Sequence, residues 1–145
     1  MKKTILILLS LFMGTTAFAQ SGIMPLYPAD ILDLSNWKIT LPIDQDSNDS
    51  PDEIEQPQLA SYDHMEYFHV NAAKNGVVFK AHAGGATTRN SGYPRSELRE
   101  MTNGGITKAA WSSNDGLYHI MEIRQKITHY PDVKKHVVVG QIHDA

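Results

Sequence analysis

The chain has 145 residues, 41% hydrophobic and 20% charged, with no cysteine and a formal charge of −3. Without cysteine there is neither a disulfide framework nor a lipid-anchored N-terminal Cys, and a net-negative chain makes nucleic acid or an anionic membrane a poor partner for its bulk surface. What remains is the size of one domain with one core, whose anionic ligands, if any, must be met by positive residues gathered locally.

The first residues read as a targeting segment. Lys2 and Lys3 precede an apolar run from Ile5 to Met13, and Ala17-Phe18-Ala19 fits a small-residue cleavage site before Gln20. This three-part pattern predicts a signal peptide over residues 1–19, too short to span a bilayer, and a secreted or periplasmic protein over residues 20–145. Its removal takes two lysines and no acids, moving the formal charge to −5.

Beyond residue 30 the pattern is that of short strands, predicted at residues 37–41, 67–70, 77–81, 95–101, 118–128 and 136–143. Turn signals separate them: Pro42, Asn75-Gly76, Gly84-Gly85, Asn90-Ser91-Gly92, Asn103-Gly104-Gly105 and Asn114-Asp115-Gly116. Only residues 54–63 carry a weak helical signal. Many short strands with Gly and Asn turns predict an all-β fold, an antiparallel β-sandwich or jelly roll. The last predicted strand, rich in valine on both faces, is expected to be central and buried. It runs into Ala145 without a closing turn, so the expectation is an N-terminal portion of a longer β-domain, incomplete in this chain.

Two stretches carry chemistry. In "GYPRSELREM" (92–101), Arg95, Glu97 and Arg99 fall on one face of a strand, with Ser96 and Leu98 on the other. Such a row is either a salt-bridged strand face or an anion platform in which guanidinium forks meet a carboxylate and the intervening Glu holds its neighbours. In "KKHVVVGQIHDA", Gln141 and His143 interrupt an apolar face. They are either satisfied within the core or lie in a ligand groove.

Together, "LSNWKITLP" (34–42), "YPRSELRE" (93–100) and "GQIHDA" (140–145) resemble the alginate lyases of polysaccharide lyase family seven, and the resemblance extends from about Pro28 to the end. It implies a β-jelly roll with a concave substrate groove, and cleavage of alginate by β-elimination without a cofactor. The full-length protein is expected to be a monomer, with neither nucleic acid nor a membrane anchor as partner. On this resemblance Arg95 neutralises the uronate carboxylate, Gln141 adds a hydrogen bond, and His143 is the base toward the C5 proton, at least of guluronate. Glu97 and Arg99 support the substrate platform. The family's Y-F-K-A-G-x-Y-x-Q motif, which supplies a Tyr as acid, is absent from this sequence, and the chain by itself is therefore expected to lack normal turnover.

Rival readings are a non-catalytic carbohydrate-binding jelly roll, which needs Arg95 and Gln141 but not His143, and a glycoside hydrolase using Glu97 and Glu100. Alternation puts those two carboxylates on opposite faces, so they do not flank one bond. Asp44, Asp46, Asn48, Asp52 and Glu55 mimic EF-hand spacing, but Asp49 occupies the position that needs glycine, and a solvated acidic loop is expected. His119, His129, His136 and His143 lack metal-ligand spacing. Trp37 and Trp111 are expected in the core or at strand ends.

Overall fold

A computed structural model describes residues 26–142 of the chain. The predicted signal peptide and His143 lie outside the described residues. In "WKIT", Trp37 and Ile39 alternate with Lys38 and Thr40, and this segment forms β1 (Trp37–Thr40). It pairs antiparallel with β2 (Glu53–Ile54) on one side and with β5 (Glu97–Thr102) on the other. A short β6 (Thr107–Lys108) pairs with β5, completing a four-stranded sheet in the order β2-β1-β5-β6. A second sheet is the hairpin of β3 (Phe68–Val70) and β4 (Val77–Phe79). Among the described residues there is no α-helix, only 3-10 turns at Pro28–Asp30 and Gln58–Ser61. The architecture is all-β and antiparallel, as expected.

Alternation decides what each face does. The fully buried core is Leu34, Ile39, Leu41, Leu59, Tyr67 and Phe68, and Trp37, Ile54 and Leu98 pack against it. Ile39 stands opposite both Leu98 and Ile54, so three strands place one apolar residue each on the same face. Phe68 sits in this core from the hairpin, edge-on to its cross-strand partner Phe79 with ring centres 5.2 Å apart. Ser96 ties the two layers together: its hydroxyl donates to the Tyr67 carbonyl at 2.8 Å. Ser96 and Leu98 thus face the core, leaving Arg95, Glu97 and Arg99 for the opposite face.

Two hairpin turns fall where the sequence signals them. At Asn71–Gly76 the Asn71 amide donates to the Gly76 carbonyl, and Lys74 takes a positive φ of 56°. Between β5 and β6, Asn103, Gly104 and Gly105 have φ of 52°, 68° and 86°. Gly105 is required twice over. Its φ is left-handed, and a β-carbon there would run into the side chain of Gln56, whose amide donates to the Leu34 carbonyl at 2.7 Å. Gly105→Ala is expected to destabilise the fold by about 1–2 kcal/mol, the cost of holding an L-residue in that region, read as a lower urea midpoint.

The structure departs from the sequence reading in three places. The weak helical signal over 54–63 yields only the 3-10 turn, because Ile54 is taken into the sheet by pairing with Ile39. The two-residue β6 carries too little pattern to predict. Most importantly, residues 118–128 and the described part of 136–143 form no strand. The last segment is not central and buried: Val138 is 74% and Ile142 61% exposed. Their β-branched pattern suits a sheet, but a strand exists only where another edge pairs its backbone, and no described edge does so. Trp37 packs on the core, whereas Trp111 lies at the surface against His119, ring centres 4.3 Å apart.

Candidate active site

The face of the four-stranded sheet opposite the core is polar apart from the buried Met101, opposite Lys108. Lys38 and Thr40 of β1 stand opposite Arg99 and Glu97 of β5, Thr40 also faces Glu53 of β2, and Lys108 follows on β6. These side chains line a hollow of about 340 Å³ together with Arg95, just before β5, and the loop residues Thr88, Arg89 and Asn90. Five cations and two carboxylates meet here, in a chain whose formal charge is −3. The positive residues are thus gathered locally.

The charges are not equally committed. Lys38 is 3% exposed and donates to Glu53 Oε2 at 2.5 Å, with Glu55 Oε1 3.6 Å away. Glu53 also accepts from the Thr40 hydroxyl at 3.2 Å. Burial raises the affinity of the Glu53 carboxyl for a proton. The Lys38 hydrogen bond and charge, the Thr40 hydrogen bond and the Lys108 charge outweigh that effect and hold its pKa below the ordinary glutamate value. Lys38 is therefore balanced inside the protein. Arg95 is held only loosely, with Nη1 3.5 Å from both Glu97 oxygens, and its buried Nε has no hydrogen-bond partner among the described residues. Among the described residues Arg89, Arg99 and Lys108 form no ion pair. A loosely tethered guanidinium with an unused N–H, beside three uncommitted cations, is suited to binding a carboxylate through a charge-assisted fork.

Of the residues singled out from sequence, Arg95, Glu97 and Arg99 come together in this hollow. Gln141 is exposed and does not line it. His143 lies outside the described residues. Lys38, Thr40, Glu53, Arg89 and Lys108 were not singled out. The alternation in "WKIT" signals the first two, since a strand with Trp37 and Ile39 inward must turn Lys38 and Thr40 outward. Arg89 sits on a loop, where no period points to a face.

The acidic loop does bring carboxylates together, with one oxygen each from Asp44, Asp46 and Asp52 within 4.8 Å of the others. These acids accept hydrogen bonds from the loop itself. Asp44 takes the amides of Asn48 and Asp49, Asp52 that of Gln45, and Asp46 the Asn48 side chain. That is an acidic turn organised by its own backbone.

The site is thus a basic face on an antiparallel all-β scaffold. Residues 32–145 match the alginate lyase family model, and the chain belongs to that family. It is similar to the alginate lyase AlgAT5 of polysaccharide lyase family 7, with 63% identity and a TM-score of 0.55, over 60% of this chain and 38% of that one. It is also similar to the alginate lyase from Corynebacterium sp., with 57% identity and a TM-score of 0.53, over 57% of this chain and 36% of that one. An alginate lyase of Klebsiella pneumoniae is 41% identical over 85 residues, 57% of this chain and 27% of that protein. The chain spans roughly a quarter to two fifths of the length of these relatives. The fold class is the β-jelly roll expected from the resemblance, and the described residues supply two of its antiparallel sheets.

Proposed function

We propose that the hollow binds the uronate carboxylates of alginate and is the anion-binding part of a poly(uronate) lyase site, which cleaves 1,4-glycosidic bonds by β-elimination. The observation that carries this reading is Arg95, buried at Nε without a partner among the described residues and only loosely paired with Glu97, in a hollow of net positive charge. In this reaction the carboxylate must be neutralised, because the proton on the adjacent C5 is too weakly acidic to leave unless the developing enolate-like charge is stabilised. Arg95 does this, with Arg99 beside it and Glu97 holding its orientation. His143 takes the C5 proton, the C4–O bond breaks, and a C4–C5 double bond forms. The leaving oxygen needs an acid, which the family motif absent from this sequence supplies as Tyr. On that ground the 145-residue chain binds alginate and turns it over weakly or not at all. Export directed by residues 1–19, and action as a monomer on extracytoplasmic alginate, complete the proposal.

The test is to measure retention of the protein by alginate and by a neutral glucan, and to follow ultraviolet absorbance of unsaturated uronate ends. Salt-sensitive retention by alginate alone is expected, and any cleavage should raise that absorbance. Equal retention by the neutral polymer, or saturated ends from cleavage, would overturn the proposal.

A further inference from the structure

The hollow around Arg95 does not end at Arg89. A second hollow of about 350 Å³ shares Glu53, Thr88 and Arg89 with it and continues between Asn48, Ser50 and Pro51. The two are contiguous, and Arg89 stands at their junction. On the near side lie four other cations, Lys38, Arg95, Arg99 and Lys108. On the far side Arg89 is the single cation among the lining residues, which otherwise offer an amide, hydroxyls and the Glu53 carboxylate already paired with Lys38. Just beyond, Asn48 and Ser50 belong to the loop in which Asp44, Asp46 and Asp52 converge. Positive potential therefore falls away past Arg89 and turns negative at the loop.

We propose that Arg89 is a second carboxylate-binding residue, taking a uronate other than the one held at Arg95, and that it is the last cation of the polyuronate track, which the acidic loop brings to an end. This rests on the reading of the Arg95 hollow as a uronate site and extends it from one carboxylate to two. A linear uronate polymer carries one carboxylate per sugar, so a chain laid from Arg95 along the contiguous hollow brings a further carboxylate to Arg89. Arg89 is exposed and forms no ion pair among the described residues, so its guanidinium is available to that carboxylate. Its contribution is screened by salt, as for any exposed pair. A monomeric uronate spans only one of the two positions.

The experiment uses the full chain and measures binding of a guluronate trimer and of monomeric guluronate by titration calorimetry or chemical-shift change. Arg89→Ala is expected to weaken the trimer about tenfold, the scale of one charge-assisted contact, and to flatten its salt dependence, while weakening the monomer far less. Arg95→Ala is expected to weaken both. If the wild-type chain binds the trimer and Arg89→Ala binds it equally well, the second position is overturned while the uronate site stands. Equal weakening of trimer and monomer would overturn it too, since Arg89 would then belong to the first position. Failure of the wild-type chain to bind either ligand would sink the uronate site itself, and the second position with it.

Discussion

Replacing Glu53 by alanine is expected to destabilise the protein by about 3 kcal/mol, measured as a fall in the urea midpoint at neutral pH. Lys38 is 3% exposed and Glu53 is its near partner, so the substitution strands a buried ammonium. The value sits at the low end of the ~3–5 kcal/mol typical for breaking a buried pair, because Glu53 is itself 42% exposed and Glu55 remains 3.6 Å from Lys38. Lys38→Met is the informative counterpart. It removes the buried charge and leaves behind a carboxylate that reaches water, so its cost should be about 1 kcal/mol or less. Similar losses in the two variants would show that packing along β1, rather than the unpaired charge, sets the cost.

The same pair gives the fold an acid limit. The folded-state pKa of Glu53 is lowered, so its stabilising contribution is complete above the ordinary glutamate value of about 4.3 and is lost as pH falls through the lower folded value. The stability gap between the wild type and Glu53→Ala should therefore hold from neutral pH down to about 4.3 and narrow as pH falls from there through the lower folded value. A gap independent of pH down to acid unfolding would contradict this assignment.

Arg95→Lys is expected to weaken alginate binding by about 30-fold although the charge is kept, the equivalent of roughly 2 kcal/mol for a misaligned charge-assisted contact. Lysine loses the planar fork and the Nε–H that Arg95 holds buried and unpartnered in the hollow. Wherever elimination is measured, the loss should be larger, about 10²- to 10³-fold in rate, because the contact strengthens as charge develops on the carboxylate. Affinity electrophoresis against alginate checks the first figure. A lysine variant that binds as the wild type does would reduce Arg95 to a partner for Glu97.

What was legible in the sequence was local. The inward Trp37 and Ile39, the Asn-Gly turn of the β3–β4 hairpin and the outward row of Arg95, Glu97 and Arg99 each follow from a period or a turn within a few residues. What was not legible depends on partners. Residues 118–128 have the composition of a strand, but composition names no edge to pair with. Glu53 carries no signal of its own in the sequence, and only the β1–β2 register brings it to Lys38. Arg89 belongs to the site because its loop runs beside the sheet, which no alternation records. Gln141 shows the limit of carrying a role over by motif. The motif identifies the residue, but its place against Arg95 is set by the pairing of its own segment, which the described residues do not form.

Ser96 lies between the two members of the Arg95–Glu97 pair, yet its hydroxyl is fastened to the Tyr67 carbonyl in the other layer. The backbone that aims the guanidinium is therefore the same backbone that docks the sheet onto the hairpin. Rotating Arg95 out of place pulls on that fastening, and loosening the hairpin frees Arg95. An anion that holds Arg95 favours only those molecules in which the two layers are closed, and its binding energy is shared with a hairpin it never touches. A ligand held at Arg95 would act as a clamp on the sandwich, and the sandwich as the spring behind the guanidinium.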